Sequence, residues 1–210
     1  TVDQLSYQGL STLRVIERYT DKRTESAKFN GHFQIPTLRE LLANPAFDGM
    51  HLILELKDGK YLQSKGLDLV SAVARELAES NWQERGIKLT VESFEFAILK
   101  NAKTAFGGEI DFVFLSARET LPAGREKFDD DLLEEVAMEF DGVSVALQML
   151  SSELVLRAKA RGLKVYAYTA RVETAQGEVN GWFKSLASTG VDGIFSDQPD
   201  VLLKSVGRTL

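Results

Sequence analysis

The sequence predicts an α/β fold built on a parallel sheet, and three observations carry that expectation. Six short apolar runs, rich in β-branched and aromatic residues, recur at residues 52–56, 89–94, 112–115, 143–147, 165–168 and 193–195. Segments of helical period separate them. Several runs show little polar alternation, as strands covered on both faces do. Strand followed by helix, six times over, implies right-handed crossovers and a parallel sheet. Two architectures satisfy the pattern, an open doubly wound sheet or a barrel.

The helical segments follow in order. Residues 67–80 place Leu69, Val70, Val73 and Leu77 on one face. Residues 96–106 follow the second strand, and residues 132–140 follow an acidic loop. Residues 152–161 carry Leu154, Val155 and Ala158, with Gly162 where the helix should stop. Residues 177–189 carry Trp182, Phe183, Leu186 and Ala187, again stopped by a glycine, Gly190. A last helix is expected near residues 200–206. The chain reads as a single domain, with residues 1–32 a polar lead-in and residues 33–206 the repeating units. A (β/α)₈ barrel needs about 250 residues and eight strands. If this is a barrel, two strands are missing, because the lead-in lacks the spacing of two further β-α units.

Composition narrows the function. The 210 residues include no cysteine and two histidines, carry a net charge of -6, and are 44% hydrophobic and 27% charged. That is the balance of a globular domain. It excludes disulfides, thiolate metal sites and cysteine nucleophiles. The acidic balance argues against nucleic acid as a partner. No apolar run approaches the roughly 18 residues of a membrane span. Thr1 opens a polar stretch with no charged-then-apolar leader. No G-x-G-x-x-G or G-x-x-x-x-G-K-[ST] occurs, and Gly107-Gly108 reads as a turn after a helix.

The sharpest local signal is Leu52-Ile53-Leu54-Glu55-Leu56-Lys57. Strand period puts Glu55 and Lys57 on one face and Leu54 and Leu56 on the other. A carboxylate at the end of a buried strand is costly unless it is paired or binds a cation. Glu55 would suit a hard divalent metal and Lys57 an anionic substrate. An ordinary Glu–Lys pair at a strand end explains the same residues. Glu92, Ser93 and Phe94 close the second strand; Tyr168, Thr169 and Arg171 the fifth; Ser196 and Asp197 the sixth. Each alone reads as a loop or cap. Their recurrence at the same strand ends is what a site at a barrel mouth predicts. Asp129-Asp130-Asp131 lacks the spacing of a calcium loop and suits a helix start. His51 is expected in the core, His32 in a surface loop, and Trp182 and Phe183 in core packing.

Five motifs in order resemble the glycerophosphodiester phosphodiesterase family. Residues 33–42, FQIPTLRELL, resemble its "IPTLEEVL" segment. Glu55-Leu56-Lys57 is similar to its "E-I-K" strand end, and Glu92-Ser93-Phe94 to its "SF" strand end. Tyr168-Thr169-Ala170-Arg171 resembles the "Y-T-x-R" variant. Residues 190–200, GVDGIFSDQPD, are similar to the closing "G-V-D-G-I-x-T-D-x-P-D". The match runs from about residue 33 to 206.

The resemblance implies a TIM (β/α)₈-type barrel of which this chain encodes about six units, three to eight. It implies metal-dependent hydrolysis of a small glycerophosphodiester to glycerol 3-phosphate and an alcohol, with Ca²⁺ or Mg²⁺. By motif, Glu55 is the metal ligand and Lys57 the phosphate-facing lysine. Phe94 and Tyr168 line the glycerol pocket, and Arg171 belongs to the variant motif at the substrate site. The Y-T-x-R form is that of exported members, which implies a periplasmic or secreted protein. The family's first strands carry "H-R" and "E-x-D", followed by a loop with "H-D", and these supply the two acid/base histidines and the other ligands. This chain is read as lacking all three, so it contains no catalytic residue of that set. It resembles the C-terminal three quarters of such an enzyme, to be completed by an N-terminal segment or a second chain. A non-catalytic scaffold of the same fold and an unrelated open α/β domain are the rival expectations.

Overall fold

The computed structural model describes residues 1–122, 125 and 127–209. Six strands form one parallel sheet: β1 (His51–Glu55), β2 (Lys88–Ser93), β3 (Ile110–Ser116), β4 (Gly142–Ala146), β5 (Lys164–Ala170) and β6 (Gly193–Ser196). They pair in chain order from β1 to β6, every neighbour parallel. A doubly wound sheet reverses its order at a switch point. No reversal occurs among the described strands, so the open alternative falls and the sheet is a curled, partial barrel wall. Its two edges are β1 and β6. Each predicted run overlaps its strand to within two residues at either end.

Ten α-helices accompany the sheet among the described residues. The lead-in holds α1 (Tyr7–Ser11) and α2 (Thr24–Ala27), and α3 (Leu38–Ala43) precedes β1. The crossovers hold α4 (Gly59–Ser64), α5 (Leu69–Ala78), α6 (Phe96–Ala105), α7 (Asp130–Glu139), α8 (Ser152–Lys159) and α9 (Val179–Ser188), and α10 (Pro199–Ser205) follows β6. Local chemistry explains where they start. Thr37 and Glu40 form a capping box at α3. Asp68, Asp129 and Ser151 each accept a backbone N–H of the first turn, at 3.0, 2.8 and 3.1 Å. The acidic run before α7 is therefore a helix start, and Asp130 also pairs with Arg157 and Arg161. Gly162 and Gly190 stand just past α8 and α9 at φ +78° and +89°, where a side chain would be strained.

The core lies on the helix side of the sheet. Leu89, Val91, Phe112, Phe114, Val143, Val145 and Val165 pack there against Leu99, Leu132, Leu133, Val155 and others. The pairing puts Ile53, Glu55, Thr90, Glu92, Val113, Ser144, Tyr166 and Tyr168 on the opposite, inner face. That face is polar for a barrel interior. His51 belongs to it, and here the expectation of a packed core residue fails. His51 is exposed, and its Nε2 hydrogen-bonds Thr90 Oγ1 at 2.8 Å. Its strand is a sheet edge, so the core does not close over it.

Candidate active site

The site is built at the carboxyl ends of the strands. Glu55 is the last residue of β1 and pairs in register with Glu92 of β2. Paired residues of a parallel ladder face the same side, so both carboxylates project inward. Lys57 lies just beyond β1, its Nζ 4.0 Å from Glu55 Oε1 and its side chain well exposed. Leu56 between them is buried in the core, as strand parity requires.

The sequence puts Glu92 at a polar strand end but gives it no chemical role of its own. It is 5% exposed, its Oε2 has no hydrogen-bond partner, and no basic side chain pairs with it among the described residues. Burial, and then the Glu55 carboxylate beside it, push its carboxyl up to about 7. Strand parity marks Glu92 as inward-facing, but its pairing with Glu55 depends on register, which no local motif reveals.

Phe94 and Tyr168 meet across the mouth, ring centroids 6.1 Å apart and nearly perpendicular. Tyr168 donates its hydroxyl to the Ser116 carbonyl at 2.7 Å, which fixes the ring. Burial holds its phenol above its usual value, with Glu92 and Glu55 adding to the shift. The β5–β6 ladder shifts register between Ala167 and Ala170, around this residue. Arg171 stands apart from that group. Its Nε donates to Asp197 Oδ2 at 2.7 Å, beyond the ends of β5 and β6.

Asp197 is the hub of a second cluster. Arg23 of the lead-in donates to it at 2.7 Å and forks onto Glu173 at 2.6 and 3.2 Å. Gln198 also donates to Glu173. The Arg23 fork holds the Glu173 carboxyl down at about 2. At the other edge, Tyr61 of α4 donates to Asp3 at 3.1 Å. The lead-in is thus tied to the elements following both sheet edges.

One sequence reading needs correction. Two triplets spell E-x-D: Glu139-Phe140-Asp141, which runs from the end of α7 to just before the amino end of β4, and Glu109-Ile110-Asp111. The latter sits at the amino end of β3, where Asp111 accepts from Lys164 at 2.5 Å. Both therefore lie at the end of the sheet away from Glu55 and cannot serve the mouth. Among the described residues, no cluster of three or more His, Asp or Glu side chains is placed to hold a metal. The mouth offers two carboxylates, and among the described residues no helix is long and apolar enough to cross a membrane.

The glycerophosphoryl diester phosphodiesterase family model matches residues 1–201. The chain belongs to this family. The match takes in the lead-in, which the motif resemblance had left outside. Solved structures agree on the fold. A Silicibacter pomeroyi protein described as a glycerophosphoryl diester phosphodiesterase superposes with a TM-score of 0.76 at 23% identity, covering 98% of this chain and 70% of that one. A Galdieria sulphuraria protein described as a glycerophosphodiester phosphodiesterase gives 0.69 at 23% identity, over 97% and 71%. An Oleispira antarctica phosphodiesterase, solved with its product sn-glycerol-3-phosphate, gives 0.66 at 23% identity, over 90% and 66%. The chain thus spans about two thirds of these family members. No curated protein sequence matches it significantly.

Proposed function

We propose that this chain is the larger part of a metal-assisted phosphodiesterase that hydrolyses glycerophosphodiesters to glycerol 3-phosphate and an alcohol. One observation carries the reading. In a chain of this family, Glu55 ends β1 on the inner face beside the buried Glu92 carboxylate, with Lys57 Nζ 4.0 Å from it. The product held by the Oleispira neighbour supports the substrate class.

The donor set fits a hard cation. Two carboxylates stand side by side on the inner face with a lysine nearby, and one carboxylate oxygen is orphaned. Ca²⁺ or Mg²⁺, held by Glu55, would supply Lewis-acid stabilisation of the phosphoryl oxygens. Lys57 meets the same oxygens from the exposed rim. The Phe94–Tyr168 wall offers apolar surface to the glycerol carbons. Arg171 has its Nε committed to Asp197, which leaves its terminal amino groups to reach an anion. The acid/base groups and remaining ligands come from outside these 210 residues, from a preceding segment or a second chain that pairs with the β1 and β6 edges. The resemblance of residues 168–171 to the Y-T-x-R form supports a periplasmic or secreted location.

The test is phosphorus NMR of glycerophosphocholine with the complete natural protein. Glycerol 3-phosphate should accumulate with Ca²⁺ or Mg²⁺, and EDTA should stop it. A diester left intact under every metal condition would favour the scaffold reading, which rests on the absence of an acid/base histidine at this mouth.

A further inference from the structure

We propose that Glu92 is a second protein ligand of the divalent cation, so that the metal sits across the β1–β2 ladder and not on Glu55 alone. The inference rests on the metal-assisted reading above and adds a residue to it.

Register is the first argument. Glu55 and Glu92 are direct partners on adjacent parallel strands. Such strands lie about 4.8 Å apart. A Ca²⁺ ion takes oxygens at about 2.3–2.6 Å, so two carboxylates at that spacing can both reach one ion between them. Burial is the second. Glu92 is 95% withdrawn from solvent, yet its Oε2 meets no donor. A buried polar group without a partner costs stability, and a buried carboxylate facing another costs more. The neighbouring donors relieve it little. Tyr168 gives its hydroxyl to Ser116, and the Ser144 hydroxyl, which favours the charged form of Glu92, makes no hydrogen bond to its Oε2. Lys57 leans towards Glu55 from outside. A cation between the two carboxylates satisfies the orphan oxygen and removes the repulsion together. A structural role alone would be better served by an amide or an apolar residue.

Calorimetric titration of the complete natural protein with CaCl₂, and separately MgCl₂, tests this, alongside thermal melts with and without metal. Glu92→Gln keeps the volume and removes the charge. Its Ca²⁺ affinity should fall about tenfold or more, because one charged oxygen ligand is lost. Its metal-free Tm should rise, since the unpaired buried charge is gone, while the metal-induced rise in Tm shrinks. Glu92→Asp should bind Ca²⁺ with intermediate affinity, which guards against reading a folding defect as lost binding. Undiminished Ca²⁺ affinity in Glu92→Gln, with loss in Glu55→Gln, would overturn this inference and leave the parent reading standing. Wild-type protein that binds neither ion would overturn both.

Discussion

The two ends of the curled sheet carry the same kind of group and treat it in opposite ways. Beyond β5 and β6, Glu173 and Asp197 are each matched by an arginine, with Arg23 forking onto both and Arg171 onto one. At β1 and β2, Glu55 and Glu92 stand side by side, with a lysine 4.0 Å from Glu55 and, among the described residues, no base on Glu92. Satisfied carboxylates hold elements together. An unsatisfied buried carboxylate costs stability, which marks its surroundings as a candidate functional site. The contrast separates a structural clamp from the proposed binding site, and both lie at polar strand ends that look alike in the sequence.

The largest expected effect comes from the open end. Lys57→Met keeps the aliphatic stem and removes the charge proposed to face the phosphate. Turnover of glycerophosphocholine by the complete protein should drop by about 10²–10³, the usual loss for one electrostatic contact to the transition state. Excess Ca²⁺ should not restore it. Equal turnover in variant and wild type, followed by choline release, would move the site away from β1.

The clamp answers to stability. Arg23→Ala leaves two half-buried carboxylates without their main donor and should cost about 1.5–3 kcal/mol, read from urea denaturation. The same clamp sets an acid limit. Glu173 titrates lower in the folded protein than unfolded, so its contribution is full above the unfolded value. It is lost as pH falls from about 4.5 towards 2. Glu173→Gln should flatten that part of the stability profile, and an unchanged acid slope would show that the fork is too loose to matter.

The wall of the fold was legible because the crossovers repeat. Leu52, Val91, Val143 and Val165 sit in apolar runs bounded by turn residues, and each run became a strand. Glu55 and Lys57 were legible from parity, since Leu56 between them needs the core. The rest depended on distance. Arg23 reaches Glu173 across 150 positions. Glu92 acquires its meaning from a neighbour 37 positions earlier, through a register that no local pattern encodes. His51 misled because a core-like strand proved to be an edge. Helix α4 was missed because six residues beginning with Gly59 are too few to show a period.

The most direct measurement sets the two ends against each other in one assay. Glu55→Gln and Glu173→Gln each remove one carboxylate charge, one from the open end and one from the clamp. Both complete proteins are followed on glycerophosphocholine by phosphorus NMR, below their melting temperatures, across a Ca²⁺ titration. Glu55→Gln should lose about 10²–10³ in turnover and recover part of it at high Ca²⁺, as a weakened ligand site does. Glu173→Gln should turn over as the wild type does at every Ca²⁺ concentration. The opposite pattern, with Glu55→Gln fully active and Glu173→Gln inactive, would place the chemistry at the β5–β6 end.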